Sequence, residues 1–307
     1  MTKIEEYQLL LIKLLAQNGI KRMVYTSSVR NSFFVENAYK SMDCYEYEDA
    51  RSVAYIGTGM AAESNESVVI CTNGDIEYRS FCSGLTEAFY RNLQIVAITI
   101  SDHVKLDYSI EIKDTVKYHQ RISGRMTEQE MMNCIYKVIK GKKPCHLDID
   151  LLENQECVET KNKIATRNVI SQALININWL ADVIPENCTL FIGNCFDFQQ
   201  KQFKCVSSAS IAGGYEGVLA RVLGASLCGG KERYIGLVTE KEFIHDINSL
   251  GNRCINNKVV YIVYTRQKKE TVINYASALS FICLSIKEGD KLPEFPDAPV
   301  LLTVDRK

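Results

Sequence analysis

The sequence predicts an α/β protein in which two domains each hold a mostly parallel sheet flanked by helices. Two observations carry this reading. Short β-branched runs such as Ser67–Thr72 (SVVICT) and Leu93–Ile100 (LQIVAITI) alternate with helix-period stretches, the pattern of βαβ units. A polar, charged stretch, Glu153–Lys163 (ENQECVETKNK), then interrupts the alternation and reads as a linker. It places the boundary at 153–165, with one domain over 1–152 and a second over 166–307. A chain of 307 residues is long enough for two cores of ordinary size.

Residues 4–18 carry apolar side chains at helical spacing, and Gly19 supplies a C-terminal stop. Lys21–Thr26 (KRMVYT) is a strand that ends in the polar turn Ser27–Ser32. Asp43–Ala61 (DCYEYEDARSVAYIGTGMA) reads as a short strand, a turn and a helix rich in small residues, where Gly57 and Gly59 permit close packing. After Ser67–Thr72, the turn Asn73-Gly74-Asp75 leads into a helix from Arg79 to Asn92, and Leu93–Ile100 follows. In the second domain a helix ends near Val183, and Thr189–Ile192 is a short strand closing on Gly193-Asn194. Ser210–Gly217 opens a helix over Val218–Leu227. Arg233–Val238 and Val259–Tyr264 are buried strands joined by a helix from Glu242 to Asn256, and a further helix spans Val272–Ile286.

The bulk composition excludes several classes. The net charge is −1, so there is no electrostatic case for nucleic acid or an anionic membrane. No apolar run approaches membrane-spanning length. The charged, amphipathic N-terminus is a helix and not a signal peptide. Twelve cysteines are scattered singly, without C-x-x-C pairs or zinc spacing, and suit reduced thiols in a cytoplasmic protein. The histidines, His103, His119, His146 and His245, are dispersed and read as structural.

Ligands of parallel α/β sheets sit at the carboxyl ends of strands. Thr26–Asn31, Thr72–Asp75 and Ser101-Asp102-His103 occupy that edge in the first domain. In the second, a glycine-rich turn entering a helix, Ser210–Gly217, has the form of a phosphate cradle or of a close helix–sheet contact.

These stretches resemble motifs of the thiamine-diphosphate (ThDP) enzyme family, most of all its menaquinone-pathway succinyl-enolpyruvyl-hydroxycyclohexene-carboxylate synthases. Thr26-Ser27-Ser28-Val29-Arg30, Thr72-Asn73-Gly74-Asp75, Leu85-Thr86-Glu87-Ala88 and Lys143–Asp148 follow the order of the family's pyrimidine-binding domain. Leu190–Asn194, Ile211–Gly217, Phe243–Leu250 and Val300–Arg306 follow that of its diphosphate-binding domain. The middle domain is absent. By resemblance, Ser27, Thr72, Asn73, Gly74, Gly213, Gly214 and Lys241 are the cofactor-binding positions, and Arg30 is the substrate-binding one. The resemblance also implies a homodimer or higher homo-oligomer, because the family's cofactor lies between domains of different chains; a second protein subunit could also complete the site.

The sequence departs from the family where its chemistry is done. The glutamate that activates the cofactor is replaced by Ala50, with Glu48 as the nearby substitute. Mg²⁺ in the family is held by a Gly-Asp-Gly turn and a later Asn. Here Glu240 takes the Asp position, Thr239 replaces a glycine, and the Asn position falls on Arg266 or Gln267. Glu240 and Gln267 are therefore the metal-ligand candidates. Lys241 and Arg266 could instead bind an anion directly, or pair with Glu240 and Glu242. The segment after Tyr264 is short, so the family's covering loop is trimmed. The resemblance implies a ThDP-fold protein with eroded catalytic and metal motifs, serving as a regulatory or structural partner or binding another small anion. The alternative is an active ThDP- and Mg²⁺-dependent 2-oxo acid decarboxylase or carboligase.

Overall fold

Fourteen strands among the described residues arrange themselves into two six-stranded sheets and one two-stranded ribbon in a computed structural model of the chain. The structure describes residues 1–47, 49–73, 77–101, 115–151, 174–209, 217–251 and 254–305. The chain divides into two compact units, Met1–Ala165 and Thr166–Lys307. The stretch expected to link them lies outside the described residues.

In the first unit the strands are β1 (Arg22–Tyr25), β2 (Asp43–Glu46), β3 (Val68–Asn73), β4 (Ile95–Ser101), β5 (Tyr118–Ile122) and β6 (Cys145–Asp150). They lie in the order β2-β1-β3-β4-β6-β5 and every ladder is parallel. Alternation along the central strands sends side chains to two faces. Val69, Cys71, Val96, Ile98, Leu147 and Ile149 meet the helices Lys3–Gln17 and Glu128–Lys140 in one core. The opposite face meets the small-residue helix Ala50–Ser64. A Cβ at Gly57 would come within 2.5 Å of Ile70 Cγ2, so glycine there permits the helix to lie close on the sheet. The helix Lys3–Gln17 has a capping box between Thr2 and Glu5, and the chain turns out of it through Gly19 at φ +85.

The second unit holds β8 (Cys188–Ile192), β10 (Val206–Ala209), β11 (Arg233–Thr239), β12 (Val259–Thr265), β13 (Ile282–Lys287) and β14 (Val300–Asp305), in the order β10-β8-β11-β12-β14-β13. These ladders are also all parallel. Numbered within each unit, the two large sheets have the same strand order. The ribbon pairs β7 (Ile175–Asn176) with β9 (Phe196–Asp197).

Several expected elements differ. Residues 175–182 form β7 and the 3₁₀ turn Asn178–Asp182, not the end of a helix. The Asn176 side chain accepts from Asn178 N at 3.0 Å and offers the backbone a turn. The helix expected from Glu242 is Glu240–His245, followed by a 3₁₀ turn at Ile247–Leu250. The helix expected over Val272–Ile286 is Lys269–Ala278. Ser280 takes φ +65, and the chain then enters β13, an edge strand whose half-exposed residues give no long apolar run. The strand β5 (YHQRI) has equally little apolar signal. Among the described residues no helix is long and apolar enough to cross a membrane.

Candidate functional site

Strand order locates one crevice in each unit. A chain that places its second strand on one side of the first and its third on the other opens a switch point between first and third, where loops diverge at the carboxyl ends. In the first unit this lies between β1 and β3, and in the second between β8 and β11.

The first crevice brings together residues expected from the sequence. Thr26, just past β1, and Thr72, near the end of β3, have hydroxyls 2.7 Å apart. Thr72 donates to Glu77 Oε2 at 2.6 Å, Thr26 Oγ1 lies 3.2 Å from the same oxygen and has its proton for Thr72, and Asn73 Nδ2 lies 3.4 Å from Glu77 Oε1. Ser28 Oγ bonds Asn73 Oδ1, and Ser27 Oγ bonds Glu46 Oε1. Asn31 secures the turn by donating to Thr26 O at 2.7 Å. Arg30 is half-buried in that turn. Glu77 is the residue that sequence reading missed. It joins Thr26 and Thr72, which are 46 positions apart, and is itself 51 positions from Thr26; nothing local in the sequence marks it.

Ala50 is the first residue of its helix. Asp49 caps it, its carboxylate accepting from Arg51 N at 3.3 Å and from Ser52 N at 3.1 Å. β2 ends at Glu46, so the strand does not run through to Ala50. Glu48, Gly74, Gly213 and Gly214 lie outside the described residues.

In the second unit the corresponding crevice is filled by a carboxylate of the chain itself. Glu242 is 1% exposed. Its Oε1 accepts from Asn194 N at 2.8 Å, and its Oε2 from Thr239 N at 2.8 Å and Thr239 Oγ1 at 2.9 Å. It thereby ties the end of β8 to the end of β11. A Cβ at Gly193 would overlap this carboxylate, so the glycine makes room for it. Burial pushes the Glu242 carboxyl above its ordinary range, against the backbone and hydroxyl donors that favour its charge.

Two more carboxylates behave alike. Glu240 Oε2 accepts from Arg266 N, Gln267 N and Lys268 N at 2.9, 3.2 and 3.0 Å. Burial opposes its charge but the three backbone donors outweigh it, and the carboxyl is held below the ordinary range. Asp246 is 2% exposed and accepts from Leu219 N at 2.8 Å and Ala220 N at 3.3 Å. It caps the helix Val218–Cys228, the one that the glycine-rich turn enters, as a phosphate cradle or a close helix–sheet contact in the sequence reading. Glu240 and Gln267 are thus brought together, through the Gln267 backbone N–H. Arg266 meets Glu240 in the same way, and Lys241 is exposed. Among the described residues no group of three or more His, Cys, Asp or Glu is placed to hold a metal ion.

A second polar cluster in the first unit was also missed. His119 and His146 are cross-strand neighbours on β5 and β6, with Nδ1 atoms 2.9 Å apart. Thr99 Oγ1 donates to Asp148 Oδ1 at 2.7 Å and lies 2.8 Å from His146 Nε2. With the Thr99 proton on Asp148, His146 must donate through Nε2 and accept at Nδ1 from His119. Arg121 pairs with Asp150 at 2.9 Å and lies 3.7 Å from Asp148. Tyr78 stacks on the His146 ring at 4.3 Å. Burial, then His119, holds His146 well below the ordinary range and neutral. Burial raises Asp148 to about 6, against the Thr99 hydroxyl, Arg121 and Ser101.

Comparison with known proteins gives a relationship of the same kind. The chain is 30% identical over 92 residues to 2-succinyl-5-enolpyruvyl-6-hydroxy-3-cyclohexene-1-carboxylate synthase of Porphyromonas gingivalis (strain ATCC BAA-308 / W83). The match covers 29% of this chain and 16% of that protein. No protein-family model matches the chain. Together with the parallel α/β units, the match supports a ThDP-enzyme-like relationship.

Proposed function

We propose that this chain is an atypical, catalytically degenerate relative of the ThDP enzymes that acts as a structural or regulatory partner. The first unit stands for the pyrimidine-binding domain and the second for the diphosphate-binding domain. One observation carries the reading. In the second unit, Glu240, Glu242 and Asp246 each spend a carboxylate on backbone N–H groups that an incoming phosphate would otherwise use.

The residues present do not fit a metal-bound diphosphate. Such a group needs backbone donors for its phosphate oxygens and a carboxylate free to ligate the cation. At Thr239 and Asn194 the donors already face Glu242, and the metal candidate Glu240 caps residues 266–268. In the first unit Ala50 has no group with which to activate a cofactor. The same reading disfavours a small anion at Lys241 and Arg266, since Glu240 and Glu242 bring negative charge to that edge. A homo-oligomer belongs to this proposal, and light scattering at micromolar concentration tests it.

Titration calorimetry with ThDP, with and without Mg²⁺, tests the central claim. The expected result is no binding in the micromolar range. Metal-dependent micromolar binding, about −8 kcal/mol, with release of CO₂ from a 2-oxo acid would overturn it and restore the working enzyme.

A further inference from the structure

Two of the cysteines stand side by side where neighbouring strands begin. Cys188 opens β8, and Cys205 immediately precedes β10. The parallel register pairs Val206 with Thr189, so one step back it sets Cys205 beside Cys188. Adjacent strands lie about 4.8 Å apart, inside the Cα separation that a disulfide spans, about 4.4–6.8 Å. Both side chains enter the same apolar core. Cys188 is fully enclosed, and Cys205 keeps 7% of its surface at the rim.

We propose that Cys188 and Cys205 are a peroxide-oxidisable pair that closes to a disulfide and locks the edge strand β10 onto β8. This does not rest on the reading of the cofactor motifs.

The two thiols share a proton unequally. The hydrogen bond from Cys188, aided by the Lys231 ammonium, favours the thiolate at Cys205 despite its burial. The hydrogen bond to Cys205 and then burial keep the proton on Cys188. The Cys188 thiol donates to Pro185 O at 2.9 Å, and it turns to the Cys205 sulfur when that thiol ionises. Its single proton serves one acceptor at a time, and a thiolate is the more basic of the two.

The chemistry balances with hydrogen peroxide as the oxidant. The Cys205 thiolate attacks one peroxide oxygen, the O–O bond breaks, and the departing hydroxide takes a proton to leave as water. Cys205 is then a sulfenic acid. Cys188 sulfur attacks the Cys205 sulfur, the S–O bond breaks, and the released hydroxide takes the Cys188 proton. Two electrons have passed from the two sulfurs to the peroxide, and two waters are formed. A thiol reductant reverses the bond by exchange.

The test treats the folded chain with hydrogen peroxide, alkylates remaining thiols under denaturing conditions, and maps the digest by mass spectrometry. The expected product is a linked peptide pair holding Cys188 and Cys205, about 2 Da lighter than the two reduced peptides together and released by dithiothreitol. Cys71, fully buried on β3 with its thiol pushed up by desolvation, serves as the unreactive control. The oxidised form should melt at a higher temperature, by roughly 5 °C. In Cys188→Ser, Cys205 should instead accumulate a sulfenic acid that dimedone traps. Should that variant not fold, the wild-type map decides alone. Recovery of both cysteines reduced after half-exposed cysteines such as Cys195 and Cys254 have oxidised would overturn the proposal. So would linkage of either one to a third cysteine.

Discussion

The two units share a strand order but hold the carboxylates near their crevices in opposite ways. In the second unit the carboxylates at the switch point and beside it accept from backbone N–H groups. In the first, the carboxylates at the crevice and in the histidine cluster accept from side-chain hydroxyls: Glu77 from Thr72, and Asp148 from Thr99 and Ser101. Topology sets where a crevice opens. The residues that follow each strand decide whether the chain closes it. A carboxylate locked on backbone amides is a cross-link with little chemistry left, whereas one held by hydroxyls can exchange partners and protons.

The largest effect should come from breaking the cross-link in the second unit. Glu242→Ala leaves the N–H groups of Thr239 and Asn194 without the buried acceptor that they share. The expected loss is about 3 kcal/mol, read by urea unfolding. Glu242→Gln should recover little of it, because one of its two terminal atoms becomes a donor facing a donor. A loss below 1 kcal/mol would mean that the carboxylate is an ordinary cap, and the contrast between the units would fail.

Asp148 gives the contrast a pH dependence. Its carboxyl is raised from 3.8 to about 6 by burial. A carboxyl raised on folding binds its proton more tightly in the native state. Its contribution is fully present below the unfolded value near pH 4 and is lost as pH rises through about 6. Over that interval the shift corresponds to about 3 kcal/mol. The groups facing it are Arg121, Asp150, Thr99 and Ser101, with His146 one hydroxyl away. Unfolding followed between pH 4 and 7 should show this slope in the wild type and a flatter curve in Asp148→Asn. Equal slopes would show that Asp148 is not the source of the pH dependence.

Glu240→Ala tests the second unit at its exposed rim. The three N–H groups of residues 266–268 would turn to water, so the expected cost is only about 1 kcal/mol. Together with Glu242→Ala it separates amide-bound carboxylates that are enclosed from those that are not.

Much of this architecture could be read from the chain, and the failures have a common physical cause. The buried central strands β3, β4, β11 and β12 announce themselves as β-branched runs because both their faces are covered. The edge strands β5 and β13 do not, since their residues are half-exposed and polar. The turns carrying Ser27, Thr72 and Asn73 were legible, and the structure gathers them. Glu77, His119, His146 and Asp148 were not. Apart from Thr72 and Asn73 beside Glu77, their partners are distant in sequence, and only the sheet register brings Arg121 opposite Asp148 or Thr26 near Thr72. The same holds for Glu242, which reads locally as a capping-box residue for Thr239 and becomes a bridge only once Asn194 is packed against it.

The smallest effect is expected at Glu77, and it is the most telling about the first crevice. Glu77 is exposed, and a Gln amide keeps an oxygen that the buried Thr26 and Thr72 hydroxyls can reach, so Glu77→Gln should cost about 0.5 kcal/mol or less. The hydroxyls of Thr26 and Thr72 would still bond each other at the mouth of the crevice. Unfolding of Glu77→Gln beside Glu242→Gln therefore compares equivalent switch points with one chemical change. A several-fold smaller loss at Glu77 is the expected outcome, and it marks the first crevice as the one that the fold can leave open to a ligand. Equal losses would mean that Glu77 is as structural as Glu242, and that both units have sealed the place where their topology would bind one.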